Sequence, residues 1–559
     1  PPRSTLFPYT TLFRSGIVAL PLAMAFGVQS GLGAEAGLYG AIAIGIVAAI
    51  FGGTKTQISG PTGPMTVVST LIAASAMQQA PSLEAGLAMV FLTFFIGGLL
   101  QILFGVTQIG RLVQFIPYPV VSGFMSGIGL IIILLQLFPL VGHASPGKIV
   151  DVFITATTPL QNINWPALTL GLLTIAIIYA FPRITKAVPS TLIALIVVSL
   201  IPQFLSMDIP KIGDIPEGLP NLNLGIFSDL NISTLSLVLV PALTLAALGS
   251  IDSLLTSVVA DNITKTKHNS NRELIGQGLG NMAAALIGGL PGAGATMRTV
   301  VNVRSGGRTR ISGVVHGLFL LVVLLGLGKY AAEIPLSVLA GILITVGIGI
   351  IDYKGLGDLL KVPKADAVVK IAVVVITVFV DLLWAVGIGL ILSALFFVKR
   401  AAEQGHEAST MDPVDDRTDG NGELKGLSHT HHADQVFIQE FHGPLFFGFS
   451  SKFQEQFSKS PNMKAVVFRF KHMSFADQSG LYALMDVIRG LNESNTWVLF
   501  CGLRGNVKEQ FVKLKIIPDL VPESHCFNDF EAATAWLAKN LMKKNTEGNK
   551  AEQVVEKSN

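Results

Sequence analysis

Gly289-Leu-Pro-Gly-Ala-Gly-Ala-Thr-Met-Arg-Thr-Val-Val-Asn302 decides the fold, because it interrupts the apolar runs around it. Its first six residues hold three glycines and a proline, which break regular helix. The apolar stretch that follows is too short to cross a bilayer, a task that takes about 20 apolar residues. Ile58-Ser-Gly-Pro-Thr-Gly-Pro-Met-Thr-Val-Val68 repeats the plan, with Pro64 suited to the first turn of a new helix. The cores Met65-Thr-Val-Val68 and Met297-Arg-Thr-Val-Val301 are alike. Irregular backbone at membrane depth is tolerated only where it is buried in protein or lines a cavity. Two such segments in corresponding halves point to a transporter's substrate site. Each half-helix offers unpaired N–H groups and the positive end of its dipole. Two facing N-termini near Thr62 and Thr296 would therefore seat a small anion without any full charge.

The rest of the chain fits this reading. Of 559 residues, 50% are hydrophobic and 13% charged, and the charge is uneven. From Gly16 to about Arg400 apolar runs alternate with short polar loops; beyond Arg400 the chain looks soluble. Fourteen apolar segments are predicted, at 16–31, 34–52, 63–77, 85–108, 115–141, 164–181, 188–206, 234–258, 274–290, 295–303, 311–328, 335–351, 366–381 and 382–399. With the N-terminus inside, the inner loops carry fifteen Lys and Arg, among them Arg111 and Lys186, and the outer loops three, Lys148, Lys211 and Lys329. This asymmetry puts the C-terminal part in the cytoplasm. Asp208, Asp214, Glu217 and Asp229 fall on an outer loop. Cys501 and Cys526 form no disulfide framework and suit a reducing cytoplasm. A net charge of +3 gives no reason to invoke nucleic acid. No enzyme signature and no ATP-binding loop is present. Thr5 to Ser15 resembles the translation of a sequencing-adapter oligonucleotide, so residues 1–15 are set apart from the fold.

Two ionisable residues fall within the apolar segments near the seat. Asp252 shares a small, polar helix face with Gly249 and Thr256, and an acid inside a span is functional by default. Arg298 lies in the first turn of the second half-helix, placed to meet either the anion or Asp252. Glu35 and Asp381 lie near segment ends and read as interfacial.

The strings Leu20-Pro-Leu-Ala-Met-Ala-Phe-Gly-Val28, Gly60-Pro-Thr-Gly-Pro-Met-Thr66, Ile251-Asp-Ser-Leu-Leu-Thr-Ser-Val-Val-Ala-Asp261, His268-Asn-Ser-Asn-Arg-Glu-Leu-Ile-Gly-Gln-Gly278 and Gly292-Ala-Gly-Ala-Thr-Met297 resemble the SulP family of anion transporters, and most of all its cyanobacterial sodium-dependent bicarbonate branch. The resemblance implies an all-α polytopic membrane domain over 16–400, built as a 7+7 inverted repeat of fourteen segments. A core (segments 1–4 and 8–11) would move against a gate (5–7 and 12–14). It implies an anion at Thr62, Gly63, Ala295 and Thr296, with sodium near Asp252, Thr256, Gly294 and Thr296. Arg298 matches an arginine of the sulfate-type and animal members, where the bicarbonate branch has a small residue. A fixed guanidinium there would replace sodium, leaving Asp252 to pair with it or take up a proton. Bicarbonate with sodium and sulfate with protons thus both stand as readings. An anion channel and a membrane-tethered signalling protein stand behind them, and no cofactor beyond sodium is implied.

Residues 401–434 read as a polar linker, in which His429, His431 and His432 read as solvated, and 542–559 as a disordered tail. Strands are predicted from Gln435, Ala465 and Thr496, and helices over Gly480 to Leu491 and Phe530 to Leu541. This α/β pattern over 435–541 resembles a STAS domain, which implies a cytoplasmic regulatory module and a homodimer in a bacterial inner membrane. In the motif Asp477-Gln-Ser-Gly480, Ser479 matches the serine phosphorylated in anti-sigma-factor antagonists; a plain helix cap in a βα loop is the other reading.

Overall fold

The computed structural model describes residues 8–110, 115–146, 149–185, 188–205, 207–213, 218, 220–227, 232–380, 382–409, 411–413, 435–458 and 463–540. Arg111, Lys148, Lys186, Asp214, Glu217, Asp229, Asp381, the three linker histidines and the tail from 541 lie outside the described residues. Two compact units divide the chain, residues 1–393 and 394–559.

In the first unit the helices of nine or more residues are α1 (Pro8–Gln29), α2 (Ala34–Phe51), α3 (Gly63–Gln79), α4 (Leu83–Val106), α5 (Tyr118–Leu140), α6 (Trp165–Ala180), α7 (Ser190–Leu205), α8 (Ile232–Thr264), α9 (Ser270–Leu286), α10 (Thr296–Arg304), α11 (Ile311–Ala332), α12 (Leu336–Ile350), α13 (Lys364–Phe379) and α14 (Leu382–Ala408), the last running past the unit's end; shorter ones lie at Ile149–Ile154, Thr157–Gln161 and Tyr353–Gly357. A helix lies over each predicted stretch, and α1 begins earlier than expected, at Pro8. Among the described residues six helices are long and apolar enough to cross a membrane, and four more are apolar but shorter. The remaining helices, α3, α9, α10 and α13, are 17 residues long or shorter, and they carry buried polar side chains such as Ser69, Glu273, Asn302 and Lys370. Outward faces are apolar, with Leu103, Phe204, Val322 and Trp384 more than half exposed, as lipid contact requires.

Packing sorts these helices into two groups. One joins α1–α4 with α8–α11, the other α5–α7 with α12 and α13; α14 joins the second, since Gly389 abuts Val120 and Val373. The pairings also recur when seven is added to each helix number. The α1–α2 pair recurs as α8–α9, α4–α9 as α11–α2, α4–α8 as α11–α1, and α5–α13 as α12–α6. The α2–α9 and α5–α12 pairs map onto themselves. Glycine permits the tightest crossings. A Cβ on Gly98 of α4 would lie 2.7 Å from the Gly278 carbonyl oxygen of α9, and the reverse contact would be 2.5 Å. Gly129 of α5 and Gly347 of α12 face each other in the same way, at 2.6 and 2.8 Å.

In the second unit a five-stranded sheet runs in the order β3-β4-β5-β6-β7, where β3 is Met411–Pro413, β4 Val436–Leu445, β5 Ala465–Ala476, β6 Trp497–Cys501 and β7 Cys526–Phe527. The edge strand β3 is antiparallel to β4; the other pairs are parallel. Alternate residues of β5 serve opposite faces. Val466, Phe468 and Phe470 join Phe441, Phe500 and Phe511 under helices α15 (Phe447–Ser458), α16 (Gln478–Glu493) and α17 (Gly505–Lys513). Ala465 and Val467 join Leu499, Phe530 and Leu537 under the helix at 530–540. Both faces are covered, as a parallel sheet demands. The linker expectation needs correcting over 401–413: α14 continues to Ala408 and β3 pairs with β4, because Met411 has an apolar core to join.

Candidate functional site

The short strands β1 (Ser59–Gly60) and β2 (Ala293–Gly294) pair antiparallel, Ser59 opposite Gly294 and Gly60 opposite Ala293. This two-residue ladder satisfies backbone that could not otherwise lie buried, and it sets the two half-helices going in opposite directions from one point. The crossing is tight. A side chain on Gly292 would meet the Gly60 carbonyl oxygen at 2.1 Å. Thr62 caps α3 in extended conformation, with Pro64 in the first turn, and Ala295 does the same for α10. Thr62, Gly63 and Ala295 are buried, and Thr296 is partly so.

Helix α8 crosses this point and supplies hydroxyls and a carboxylate. Asp252, 7% exposed, accepts a hydrogen bond from the Thr62 hydroxyl at 2.8 Å. One turn on, Thr256 donates to the Gly294 carbonyl at 2.8 Å and lies 2.7 Å from the Thr296 hydroxyl. Ser253 Oγ accepts from the Gly294 amide at 3.1 Å. So Asp252, Thr256, Gly294 and Thr296 stand together beside Thr62 and Ala295. One carboxylate and three neutral oxygens form a hard donor set that fits a monovalent cation.

Arg298 is buried, but it does not pair with Asp252: among the described residues no ion pair joins them. Its Nη2 donates to the Pro61 carbonyl, and Nη1 has no hydrogen-bond partner. The guanidinium thus braces the first half-helix's lead from the second, with one donor edge uncommitted. Its reach explains this, since Gly60 leaves room for Nη1, which an added Cβ would meet at 2.8 Å.

The sequence reading missed the scaffold behind the seat. Along α9, Glu273, Gln277 and Asn281 fall on one buried face at i, i+4 and i+8. Glu273 accepts from the amides of Gly53 and Thr54, both at 2.8 Å, from Gln57 Nε2 at 2.8 Å and from Gln277 Nε2 at 2.9 Å. Asn281 clamps Gly292, donating to its carbonyl at 3.0 Å and accepting from its amide at 2.8 Å. From α10, Thr299 Oγ1 accepts from Ile58 N at 3.0 Å and Asn302 donates to the Thr56 carbonyl at 2.9 Å. These contacts hold residues 53–60 against α9 and α10. The available signal was the four-residue spacing of polar groups in α9, which resembles a solvent-facing helix.

A second missed cluster ties α5 to α13. Buried Lys370 lies 3.8 Å from Asp352 and 5.5 Å from the Tyr118 ring centroid. Asp352 also accepts from Tyr118 Oη at 2.6 Å, from Ser122 Oγ and from Gly355 N at 3.0 Å. In the second unit Asp477 caps α16, accepting from Gly480 N at 2.7 Å, while Ser479 lies exposed in the first turn. Burial pushes the Cys526 thiol up to about 11, which leaves it protonated and inert.

The sulfate permease family matches residues 14–373 and the STAS domain residues 429–533. The bicarbonate transporter BicA of Synechocystis sp. is 41% identical over 92% of this chain and 91% of its own length. The solved transmembrane domain of a cyanobacterium BicA is 45% identical, covers 68% of this chain and 98% of itself, and superposes with a TM-score of 0.62. Murine solute carrier 26 family member A9, an anion transporter solved in the inward-facing state, shares 19% identity with a TM-score of 0.79, covering 97% of this chain and 92% of its own. The last likeness shows the fold alone.

Proposed function

Since this chain belongs to the sulfate permease family, we propose that it is a secondary transporter that carries bicarbonate with sodium across a bacterial inner membrane. The carrying observation is the crossing of two half-helix N-termini at Thr62 and Ala295, with Asp252 and Thr256 beside them. The anion sits on the backbone N–H groups of the two first turns, where dipole ends replace a full countercharge. Asp252, Thr256, Thr296 and the Gly294 carbonyl would hold sodium, which then neutralises the carboxylate and the anion together. The 41% identity to a bicarbonate transporter supports the anion assignment. Alternating access would come from the group containing α3, α8 and α10 moving against the group containing α5 and α12. The STAS domain faces the cytoplasm, Ser479 is a modification site exposed for it, and the chain works as a homodimer.

Arg298 favours a second reading, sulfate uptake with protons, because its uncommitted Nη1 brings a fixed positive charge to the seat. One experiment separates the two. The full chain in liposomes is given labelled bicarbonate or sulfate with a sodium or a proton gradient. Sodium-driven bicarbonate uptake, lost in Asp252→Asn, is expected. Proton-driven sulfate uptake would select the second reading, and cation-dependent uptake intact in Asp252→Asn would defeat both.

A further inference from the structure

A cavity of about 400 Å³ lies between the C-terminal ends of α1 and α3 on one side and, on the other, the C-terminal end of α5 and the N-terminal half of α12. With the N-terminus inside, this is the outer end of the membrane unit. The cavity continues the seat along α3: Thr62, Thr66 and Thr70 share one helix face, and Thr70 lines the cavity. Eight residues of helix put Thr70 about 12 Å outward of Thr62.

Most polar groups lining this space are committed. The Thr70 hydroxyl donates to the carbonyls of Thr66 and Gln29, Ser30 to Gly27 and Ser145 to Leu135. His143 Nε2 bonds the Asn162 carbonyl. No lysine or arginine lines it. Two glutamines are exceptions: Gln136, buried on the α5 side, makes no side-chain hydrogen bond among the described residues, and Gln29 is the one with both side-chain polar atoms buried and unmet. Gln29 is 6% exposed, lines the cavity, and leaves both Nε2 and Oε1 without a partner. Buried polar groups are nearly always paired, so an unmet carboxamide at a cavity marks a ligand that is itself both donor and acceptor.

We propose that Gln29 forms an outer subsite for a hydrogen-bearing oxyanion, bicarbonate in particular, on its path between the outer face and the seat at Thr62. Bicarbonate carries O⁻ and O–H side by side, and a carboxamide carries N–H and C=O side by side. The two meet through a pair of hydrogen bonds. Sulfate and chloride bring no donor at neutral pH and leave Oε1 unmet. A neutral subsite releases the anion readily, as a conduction path requires. The proposal rests on the bicarbonate reading above and adds to it the residue that selects a protonated anion.

The test uses the full chain in cells, with Ala74→Cys placing a thiol on the cavity wall. The native thiols, Cys501 and Cys526, lie in the second unit. A membrane-impermeant methanethiosulfonate added outside should label Cys at 74. External bicarbonate should slow that labelling and equal sulfate should not. Gln29→Leu and Gln29→Glu should each abolish the protection and raise the bicarbonate KM about tenfold, the loss of roughly one buried hydrogen-bonded pair. Failure to label position 74, protection by sulfate as well, or protection unchanged in either Gln29 variant overturns the proposal. If neither variant accumulates, the bicarbonate-against-sulfate contrast in the Ala74→Cys protein decides alone. Wild-type protein that carries no bicarbonate would sink the transport reading, while selective protection by bicarbonate would still establish the subsite.

Discussion

Glu273→Gln changes little in shape, and the hydrogen bonds of the wild-type side chain set its cost. Oε2 serves the Gly53 and Thr54 amides, and Oε1 serves Gln57 and Gln277. A glutamine keeps an oxygen for the two backbone amides and then turns its NH₂ toward two amide donors. Gln277 can relieve one clash by rotating, since its own Oε1 has no partner. Gln57 can rotate only by exchanging its acceptance from the Ser257 hydroxyl at 2.9 Å for donation to it, with the Ser257 proton turned to the Ser253 carbonyl. The net loss is about one hydrogen bond to a charged group, roughly 1.5–3 kcal/mol. Glu273→Ala strands four donors, three of them buried and worth about 1–3 kcal/mol each, so its cost is at least about 3 kcal/mol. Thermal melting of the detergent-solubilised full chain should rank wild type above Glu273→Gln and that above Glu273→Ala. Uptake per folded molecule should keep its cation dependence in Glu273→Gln, because the residue positions the seat and does not touch the ion. An alanine variant as stable as the glutamine variant would refute the reasoning.

Two further outcomes are expected. Gly292→Ala should yield almost no folded protein in fluorescence-detected size exclusion, since its methyl group meets the Gly60 carbonyl oxygen at 2.1 Å, whereas the same change at Gly349, which faces open space, should be tolerated. The Asp352 carboxyl, although desolvation works to raise it, is held below its ordinary 3.8 by Ser122, Tyr118, Gly355 N–H and Lys370. Its stabilisation is therefore present above pH 3.8 and lost as pH falls through the lower folded value; melting curves of wild type and Asp352→Asn should differ near neutrality and converge in acid.

The sequence exposes this architecture because lipid imposes a coarse and local code. Apolar runs announce helices, and the Gly/Pro leads at Gly60-Pro-Thr-Gly-Pro64 and Pro291-Gly-Ala-Gly294 announce their interruption. Asp252 and Thr256 were visible because an acid in an apolar run is anomalous. Glu273 and Gln277 were not, because their partners lie more than 200 residues away, at Gly53, Thr54, Gln57 and Ser59. Lys370 was hidden because its partners Asp352 and Tyr118 lie on other elements, which the pattern of its own helix does not reveal. Arg298 was legible as a residue but not as a contact. The sequence named Asp252 or the anion as its partner, and the structure gives it the Pro61 carbonyl.

The recurrence of packing at seven-helix intervals has a consequence for how the protein is made. Each half leaves its own best surface for the other: α2 docks on α9 and α5 on α12. When the ribosome has delivered α1–α7, the amides of Gly53 and Thr54 and the side chain of Gln57 are already made, in the loop between α2 and α3, and Glu273 has not yet been translated. The early chain must wait with these groups borrowed by water or lipid headgroups. Assembly is then a late event, triggered by the arrival of one helix, α9. A membrane protease that senses unmet polar groups would see every nascent copy as defective until that moment.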